Sequence, residues 1–419
     1  TSATNSYNVA IGYAAGEAIT TGVQNTIIGG DAGDGLTIGA ENVVIGYNAL
    51  TDSQESIGNV IIGHEAGGNL ADGDSNVAVG KLALYGGSSA NSSNNVAIGA
   101  QALRLTTTGG NNVGVGHTAG KATTTGHSNV AIGYESLLTE DTGRKNVAVG
   151  FETLKVQNSD VDNYNTAVGY QAGVAVTEGV QNTLIGASAG DHLAHADFNV
   201  AVGYGALDAD TQGSKSTAIG KSSLTNQNYS SATDSHNTAV GFHSGLAITT
   251  GVRNTYVGSL VGDSTTDADF NVAVGFNALS SNVLGSKSVA VGTDCLTAQK
   301  PVDGNGDDVA TDMFNTAMGF QAGVAVSTGV QNTIIGALAG DALTDADNNV
   351  AMGYSALTTN ILGSESVAIG TFALNAQNPA SATNMYNVAV GHNSGAAVTT
   401  GVQNTLIGGL AGDALTSSA

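Results

Sequence analysis

Aromatic residues, tryptophan and proline are scarce in this sequence of 419 residues. Only 5% of the residues are aromatic, none is Trp and two are Pro, whereas 60 are Gly. The two or three compact domains that the length alone would suggest need more large apolar side chains than this. Low complexity can indicate disorder, but a disordered chain lacks a regularly spaced aliphatic position, and this chain has one. The composition therefore favours an ordered, repetitive structure.

Positive charge is also scarce. Lys and Arg number 11 against 34 Asp and Glu, which gives a formal net charge of −23. Binding to nucleic acids or to anionic membranes needs Lys and Arg, so the composition argues against both partners. We interpret the excess of acid as a solvated surface that keeps long particles soluble and apart. Recruitment of Ca²⁺ or another cation is the alternative.

Cysteine and long apolar runs are nearly lacking. Cys295 is the single cysteine, which excludes an intrachain disulfide framework and leaves the redox compartment open. No apolar stretch approaches the ~18–20 residues of a membrane span. Residues Ser2–Tyr7 match Ser381–Tyr386 in pattern. From this match we expect the chain to be a segment of a longer polypeptide.

The dominant feature that is present is a five-residue motif, Asn-(Val/Thr)-x-(Ile/Val)-Gly, which recurs 23 times from Asn8 to Gly408. Most repeats start 17 residues apart, and we number the positions of one repeat as slots, counted from the Asn. Slot four is always Ile, Val or Met, and slot five is always Gly. Self-similarity at a short fixed period is typical of a solenoid, in which each repeat forms one coil. We therefore predict one continuous all-β domain over residues 1–419, a parallel β-solenoid of about 23 coils.

Within a coil, slots two to four alternate as in a short strand, and the Gly at slot five predicts a turn. We expect slots two, four and eight to supply the core, with slot four stacked into an aliphatic column. The Asn of slot one, replaced by Ser in three coils, is expected to form a second, hydrogen-bonded column. The predicted structural core includes Ile11, Gly12, Val168, Gly169, Val202, Gly203, Val274, Gly275, Ile369 and Gly370.

Two further regularities lie above the single coil. Slots three and six trade volume, as in Leu184 with Ala187 and Ala167 with Tyr170, which predicts that they share one packing environment. From residue 165 onward, slot nine reads Gly, Gly, Leu, Leu and then repeats, which gives superrepeats at 165–236, 237–314 and 315–386. Each superrepeat ends in a longer polar insertion, which is the usual place for recognition in a solenoid.

The core predicted for one coil is small. Burial of a Val or Ile side chain contributes ~1.5–3 kcal/mol, whereas ordering costs ~1.5 kcal/mol per residue, so a lone chain is expected to be weakly stable. Association remedies this if copies share the aliphatic column. We therefore predict a parallel homo-oligomer in which slot four is sealed between neighbouring copies.

Segments such as Asn8–Ala15 and Asn129–Ser136 resemble the head repeats of YadA-like trimeric autotransporter adhesins, whose motif has the form Asn-x-(Val/Ala)-(Ile/Val)-Gly-x-x-(Ala/Ser). The resemblance covers essentially the whole chain. It implies a homotrimer of left-handed parallel β-rolls, displayed outside the cell as an adhesive head. The coil of those adhesins is shorter than the 17 residues found here, and residues 165–172 are also similar to repeats of phage tail-fibre proteins.

One insertion has residues that suit a metal ion. Asp303, Asn305 and Asp307 alternate oxygen-bearing side chains with Gly, an arrangement that suits Ca²⁺. Position twelve of an EF-hand loop, however, would be Phe314 instead of Glu. We favour a solvated acidic loop and keep a loose Ca²⁺ site as the alternative.

Other candidates for chemistry are weaker. His192 and His195 with Asp191 and Asp197 could bind a transition metal, but the equivalent positions of the later superrepeats keep the acids and lose the histidines. Cys295 fills slot eight, where Ala is usual, and a small buried thiol is the favoured interpretation. No arrangement of residues suggests catalysis, so we predict a protein that is not an enzyme and has no cofactor beyond the Ca²⁺ alternative.

Three functions are compatible with these observations. The first is a trimeric extracellular fibre, either an adhesin head on a cell surface or the shaft of a virion tail fibre, with a surface receptor or matrix as its unknown partner. The second is a self-assembling extracellular filament. The third is ice binding through flat Thr arrays, which ranks lower because slot two alternates irregularly between Thr and Val.

Overall fold

The chain folds as an all-β, parallel β-solenoid in which each repeat of about 17 residues forms one coil. The computed structural model describes residues 5–87 and 90–417. Within these residues there is no α-helix, and 23 strands of three residues mark the successive coils. Residues 2–4 of the predicted terminal match lie outside the described residues. By its contacts the chain divides into two units, residues 1–205 and 206–419.

The first unit contains twelve of these strands, each paired in parallel with the strand of the next coil. Identical slots lie opposite one another, so that Ala167 pairs with Leu184 and Val168 with Ile185. This register follows from the constant length of the coil. The strands are β1 Val9–Ile11, β2 Thr26–Ile28, β3 Val43–Ile45, β4 Val60–Ile62, β5 Val77–Val79, β6 Val96–Ile98, β7 Val113–Val115, β8 Val130–Ile132, β9 Val147–Val149, β10 Thr166–Val168, β11 Thr183–Ile185 and β12 Val200–Val202.

The second unit continues the same scheme and adds short strands within its insertions. Three pairs of two-residue strands, β13 with β15, β19 with β21 and β25 with β27, occur once in each predicted superrepeat. The strands are β13 Gly213–Ser214, β14 Thr217–Ile219, β15 Thr233–Asp234, β16 Thr238–Val240, β17 Thr255–Val257, β18 Val272–Val274, β19 Gly285–Ser286, β20 Val289–Val291, β21 Thr311–Asp312, β22 Thr316–Met318, β23 Thr333–Ile335, β24 Val350–Met352, β25 Gly363–Ser364, β26 Val367–Ile369, β27 Thr383–Asn384, β28 Val388–Val390 and β29 Thr405–Ile407.

The interior of a coil is formed by slots one, three, eight, nine and twelve. In the coil that starts at residue 165 these slots are Asn165, Ala167, Ala172, Gly173 and Val176, and all five are buried. Slot three points inward because it is the middle residue of the strand, and its neighbours therefore point outward. The hydrophobic core runs through the stacked slots of successive coils.

The predicted core is therefore wrong for slots two and four within a single chain, and right for slot eight. The slot-four side chains of Ile11 and Val168 are 59% and 36% exposed. Those of Val202, Val274 and Ile369 are only half-buried. Strand alternation separates two faces without telling which of them lies inside, and slot three, often only Ala, had been taken for the outer one. Whether slot four is sealed between copies stays a prediction.

The turn predicted at slot five is present, and it explains why this slot is always Gly. Gly169 has a φ of 143°, which residues with a side chain rarely adopt. A Cβ atom at this position would lie 2.4 Å from the carbonyl oxygen of Gly186, the Gly of the next coil. Gly12, Gly203, Gly275 and Gly370 have the same positive φ. Stacked coils thus leave no room for a side chain here.

The predicted asparagine column is confirmed. The backbone N–H of Asn25 donates to Oδ1 of Asn8 at 2.9 Å, and Nδ2 of Asn25 donates to the carbonyl of Gly39 at 2.9 Å. Each Asn therefore joins its own coil to the previous one and closes its own far corner. In the coil that starts with Ser288, the amide of Gln299 at slot twelve reaches this column instead and accepts from Asn315 at 3.1 Å.

Slots three and six do not share a packing environment, so that prediction is wrong. Slot three is inside the coil, whereas slot six faces outward. The inner slot instead packs against slot nine. A Cβ atom on Gly173 would lie 2.7 Å from Leu184 Cδ1 in the next coil and 2.9 Å from Leu154 Cδ2 in the previous one. Gly at slot nine thus makes room for large neighbours on both sides.

We predict that Gly169→Ala destabilises the first unit by at least about 2 kcal/mol, because Cβ would meet the Gly186 carbonyl in a strained backbone conformation. Thermal unfolding followed by circular dichroism measures the change. The matched control is Gly304→Ala, since Cβ there would have no atom within 4 Å. Equal melting curves for the two variants would contradict the stacking argument.

Candidate interaction surface

The outward side chains of the strands form one surface in each unit. It consists of slots two, four and six together with the residue that precedes each slot-one residue, and we call it the strand face. Slot two is always Val or Thr, and slot four is always Ile, Val or Met. Because the strands pair in register, these side chains form straight rows along the sheet. The exposed rows are unusual, since a monomeric soluble protein rarely exposes a large contiguous apolar patch.

The strand face is also the part of the sequence that is not acidic. It contains six of the 11 basic residues and two of the 34 acidic ones, so the remaining slots contain five basic and 32 acidic residues. The six basic residues are Lys81, Lys145, Lys215, Lys221, Arg253 and Lys287, and the two acids are Glu41 and Glu365. The strand face therefore has a formal charge of 6 − 2 = +4, against 5 − 32 = −27 for the rest. This segregation was not expected from the total charge.

Aromatic rings at slot six form a stack on the strand face of the first unit. The rings of His117, Tyr134, Phe151 and Tyr170 come from four successive coils, with centroids 5.6, 5.1 and 5.3 Å apart and interplanar angles of 11°, 12° and 6°. The three carbocyclic residues are 40–53% exposed. The in-register coils place the rings face to face, so their edges point to the solvent.

A polar network borders this aromatic stack. Lys155 Nζ lies 2.7 Å from Glu135 Oε2 and 2.6 Å from Glu152 Oε1, and Gln171 donates to Glu152 Oε2 at 2.8 Å. Hydrogen bonds from Lys155 hold the pKa of both glutamates below their usual value, and the two glutamates raise the pKa of Lys155. The charges beside the stack are thus paired with one another.

Cations at the edge of the strand face lie over aromatic rings of the following coil. Lys145 Nζ is 4.7 Å from the ring centroid of Tyr164, and Lys287 Nζ is 5.3 Å from that of Phe314. Lys145 also pairs with Asp162 of the adjoining insertion at 2.6 Å. Exposed pairs of this kind contribute ~0–1 kcal/mol each, so they orient the insertions more than they stabilise the fold.

Two carboxylates are fully buried at slot twelve, and sequence reasoning missed both. Glu140 accepts hydrogen bonds from Gly143 N at 2.7 Å and from Gln157 Nε2 at 2.9 Å. Asp210 accepts from Gly213 N at 2.8 Å and from Gln227 Nε2 at 2.6 Å. Burial raises the pKa of each carboxyl group, and these hydrogen bonds oppose the rise. Leu at slot nine together with a polar residue at slot twelve was the available signal.

The insertion predicted as a Ca²⁺ site forms a hairpin that satisfies its own polar groups. Asp303 Oδ1 accepts from Asn305 N at 2.8 Å and from Asp307 N at 3.0 Å, which lowers the pKa of Asp303. Asn305 turns its Nδ2 donor towards Asp303 Oδ2 at 3.3 Å. A Ca²⁺ site needs converging oxygen atoms, whereas here the carboxylate of Asp303 faces donors. Binding of Ca²⁺ stays a prediction without further support from this geometry.

The histidine pair and the cysteine also have ordinary surroundings. His192 Nδ1 lies 2.8 Å from Asp191 Oδ1, whereas His195 Nδ1 lies 3.6 Å from Glu178. Asp197 Oδ1 accepts from Val180 N at 2.8 Å. The two histidines therefore have different acidic partners.

Cys295 is buried at slot eight, as expected, and burial raises the pKa of its thiol to about 12. A thiol with so high a pKa is not an activated nucleophile.

Comparisons with known proteins give no relatives from which a function could be transferred. No protein-family model matches the chain, and no curated protein matches it significantly. Residues 5–87 and 90–417 include no helix that is long and apolar enough to cross a membrane.

We predict that Asp210→Asn stabilises the protein at pH 7 by about 1 kcal/mol, because it removes a buried charge. Asn360 shows that the corner accepts an amide, since it accepts from Gly363 N at 2.9 Å and donates to Gly363 O at 2.7 Å. The raised pKa means that the folded chain binds more protons than the unfolded chain just above the ordinary carboxyl pKa. The wild type therefore loses stability as the pH rises through this window.

Denaturant unfolding between pH 4 and pH 7 measures this effect. The advantage of Asp210→Asn should be small at pH 4 and larger at pH 7. Asp267→Asn, at an exposed acid of the same unit, is the control and should show no such trend. A variant that is less stable than the wild type at pH 7 would contradict the prediction.

Proposed function

We propose that this chain is a non-enzymatic, extracellular fibre protein that associates with further copies of itself through the strand face. The observation that carries the proposal is the chemistry of this face. Its slots two and four are uncharged in every coil, although the rest of the sequence has a formal charge of −27. Contiguous apolar surface of this kind typically marks a protein–protein interface. A second copy offers the same straight rows at the same spacing.

The chain is then part of a trimeric adhesin head or of a virion tail-fibre shaft. Both are consistent with the resemblance of segments such as Asn129–Ser136 to YadA-like head repeats and of residues 165–172 to tail-fibre repeats. A homotrimer of left-handed rolls is the arrangement that this resemblance implies. The acidic remainder would keep assembled fibres apart in solution.

The insertions are the best candidates for recognition of a receptor or matrix. They leave the coil near slot thirteen and return beside the strand face, where β15 pairs with β13 and Lys215 pairs with Asp234. Their sequences differ between superrepeats, whereas the coils are nearly constant. Variable loops on a rigid scaffold commonly serve in binding.

We expect the wild-type chain to be oligomeric in sedimentation velocity, and Val168→Glu with Ile185→Glu to weaken association at least about tenfold. These side chains are the exposed slot-four residues of neighbouring coils. Burying their charges against another copy is costly, whereas the isolated coil leaves them in water.

The control is Leu138→Glu with Val174→Glu, at slot ten, where other coils naturally have Glu17 or Asp34. It should associate as the wild type does, and circular dichroism should show intact coils in both double variants. A monomeric wild type, or equal weakening by both pairs, would refute the strand face as an interface.

Ice binding is a second candidate that one observation favours. Slots two and four face outward in flat rows, as an ice-binding surface would require. However, only nine of the 23 slot-two residues are Thr, and rings such as Tyr170 and Phe276 project beside them. We expect no freezing hysteresis from the purified chain, and clear hysteresis would favour ice binding over fibre assembly. Smooth helical polymers in electron micrographs would instead favour the filament alternative.

A further inference from the structure

Asn305 and Gly306 form the single Asn-Gly pair in the sequence. They lie at the tip of the longest insertion, in the hairpin that is closed by the antiparallel bridge between Val302 and Asp308. Residues 303–310 are all exposed. The insertions that end the superrepeats at 165–236 and 315–386 have no Asn-Gly pair. The pair is thus a local feature that the repeat does not require.

The backbone around this pair has space that the coils lack. A Cβ atom added to Gly304 or to Gly306 would have no atom within 4 Å. In the coils, by contrast, a Cβ on Gly35 would lie 2.1 Å from Thr51 O, and one on Gly73 would lie 2.0 Å from Ser92 O. The peptide that follows Asn305 can therefore rotate without displacing a neighbour, and the missing side chain of Gly306 leaves its nitrogen accessible.

We propose that Asn305 is a site of spontaneous deamidation through a cyclic imide. The backbone nitrogen of Gly306 loses its proton and attacks Cγ of Asn305. A bond forms between this nitrogen and Cγ, the bond between Cγ and Nδ2 breaks, and ammonia leaves. Water then opens the imide at either carbonyl, which gives aspartate or isoaspartate at position 305. No oxidant, enzyme or cofactor takes part.

The hairpin sets the rate of this reaction through Asp303. The attacking nitrogen of Gly306 donates to the carbonyl of Asp303 at 3.0 Å, and this bond must open first. The Asp303 carboxylate holds the nitrogens of Asn305 and Asp307 at 2.8 and 3.0 Å. Asp303 is therefore a positioning residue that restrains the backbone, and its removal should speed the reaction.

Deamidation would change the electrostatics and the geometry of the insertion. It adds a negative charge within a tip that already contains Asp303, Asp307 and Asp308. Isoaspartate also lengthens the main chain by one carbon atom, which disrupts the bonds that Asp303 makes to this turn. The insertion would thus exist in an early and an aged form, while the coils remain unchanged.

The test is to incubate the full chain at mildly alkaline pH and to follow each asparagine by peptide mapping and mass spectrometry. An isoaspartate-specific methylation assay identifies the branched product. The internal comparison is Asn158, which is exposed in another insertion and precedes Ser159. We expect conversion of Asn305 to be at least about tenfold faster than that of Asn158, a barrier difference of about 1.4 kcal/mol.

Three variants separate the chemistry from general loosening of the loop. Gly306→Ala should slow the conversion at least about tenfold, since a Cβ shields the attacking nitrogen. Asn305→Gln should abolish it at this position, and Asp303→Ala should accelerate it. Conversion of Asn305 no faster than that of Asn158, or a Gly306→Ala variant that converts at the wild-type rate, would overturn the proposal.

Discussion

The asparagine that starts each strand is the contact on which the rest of the coil depends. Its Oδ1 accepts the backbone N–H of the next asparagine, and its Nδ2 donates to a carbonyl at the far corner of its own coil, as in Asn25. One buried side chain thus satisfies backbone groups that would otherwise be stranded in the interior. It also fixes the length of the coil, because the two bonded groups lie a constant 14 residues apart, as Asn25 and Gly39 do. Where the first residue is Ser288 or Ser366, a Gln at slot twelve takes over part of this role.

Much of the fold could be predicted from the sequence, because the motif repeats backbone requirements. The constant Gly of slot five indicated a turn with no space for a side chain, and Gly169 occupies such a turn. The asparagine column followed from the constancy of slot one. The orientation of the strand did not follow. Two alternating faces of three residues each contain apolar side chains, and only the packing of slot nine against slot three, as in Gly173 and Leu184, distinguishes the inner face.

The candidate surface was harder to predict for the same reason. Val168 and its equivalents were taken as core, so the rows that they form outside the coil were not recognised as a surface of the single chain. The expected shortage of core also weakens, since slots three, nine and twelve are buried in addition to slot eight. The argument for association now comes from exposed apolar rows. Buried acids such as Asp210 were missed because their partners, Gly213 and Gln227, come together only when coils stack.

The fibre interpretation depends on how polar and apolar groups are sorted around the coil. Acidic residues are concentrated on the return path and the insertions, and the strand face has a slight excess of basic residues. Long-range repulsion between copies and short-range attraction between strand faces can therefore coexist. This combination allows assembly in a defined orientation, because approach through any other side brings like charges together.

The packing of slot nine has a consequence for how such a chain can lengthen. Gly245 fits between Leu224 of the coil before it and Tyr256 of the coil after it, and Gly323 fits in the same way between Leu296 and Ile334. A coil of this kind is shaped for its two neighbours and is not interchangeable with an arbitrary coil. Duplication or loss of a single coil would leave a clash or a void, whereas duplication of a whole four-coil block preserves every junction. The block is thus the smallest unit by which genetic change can alter the length without disturbing the interior.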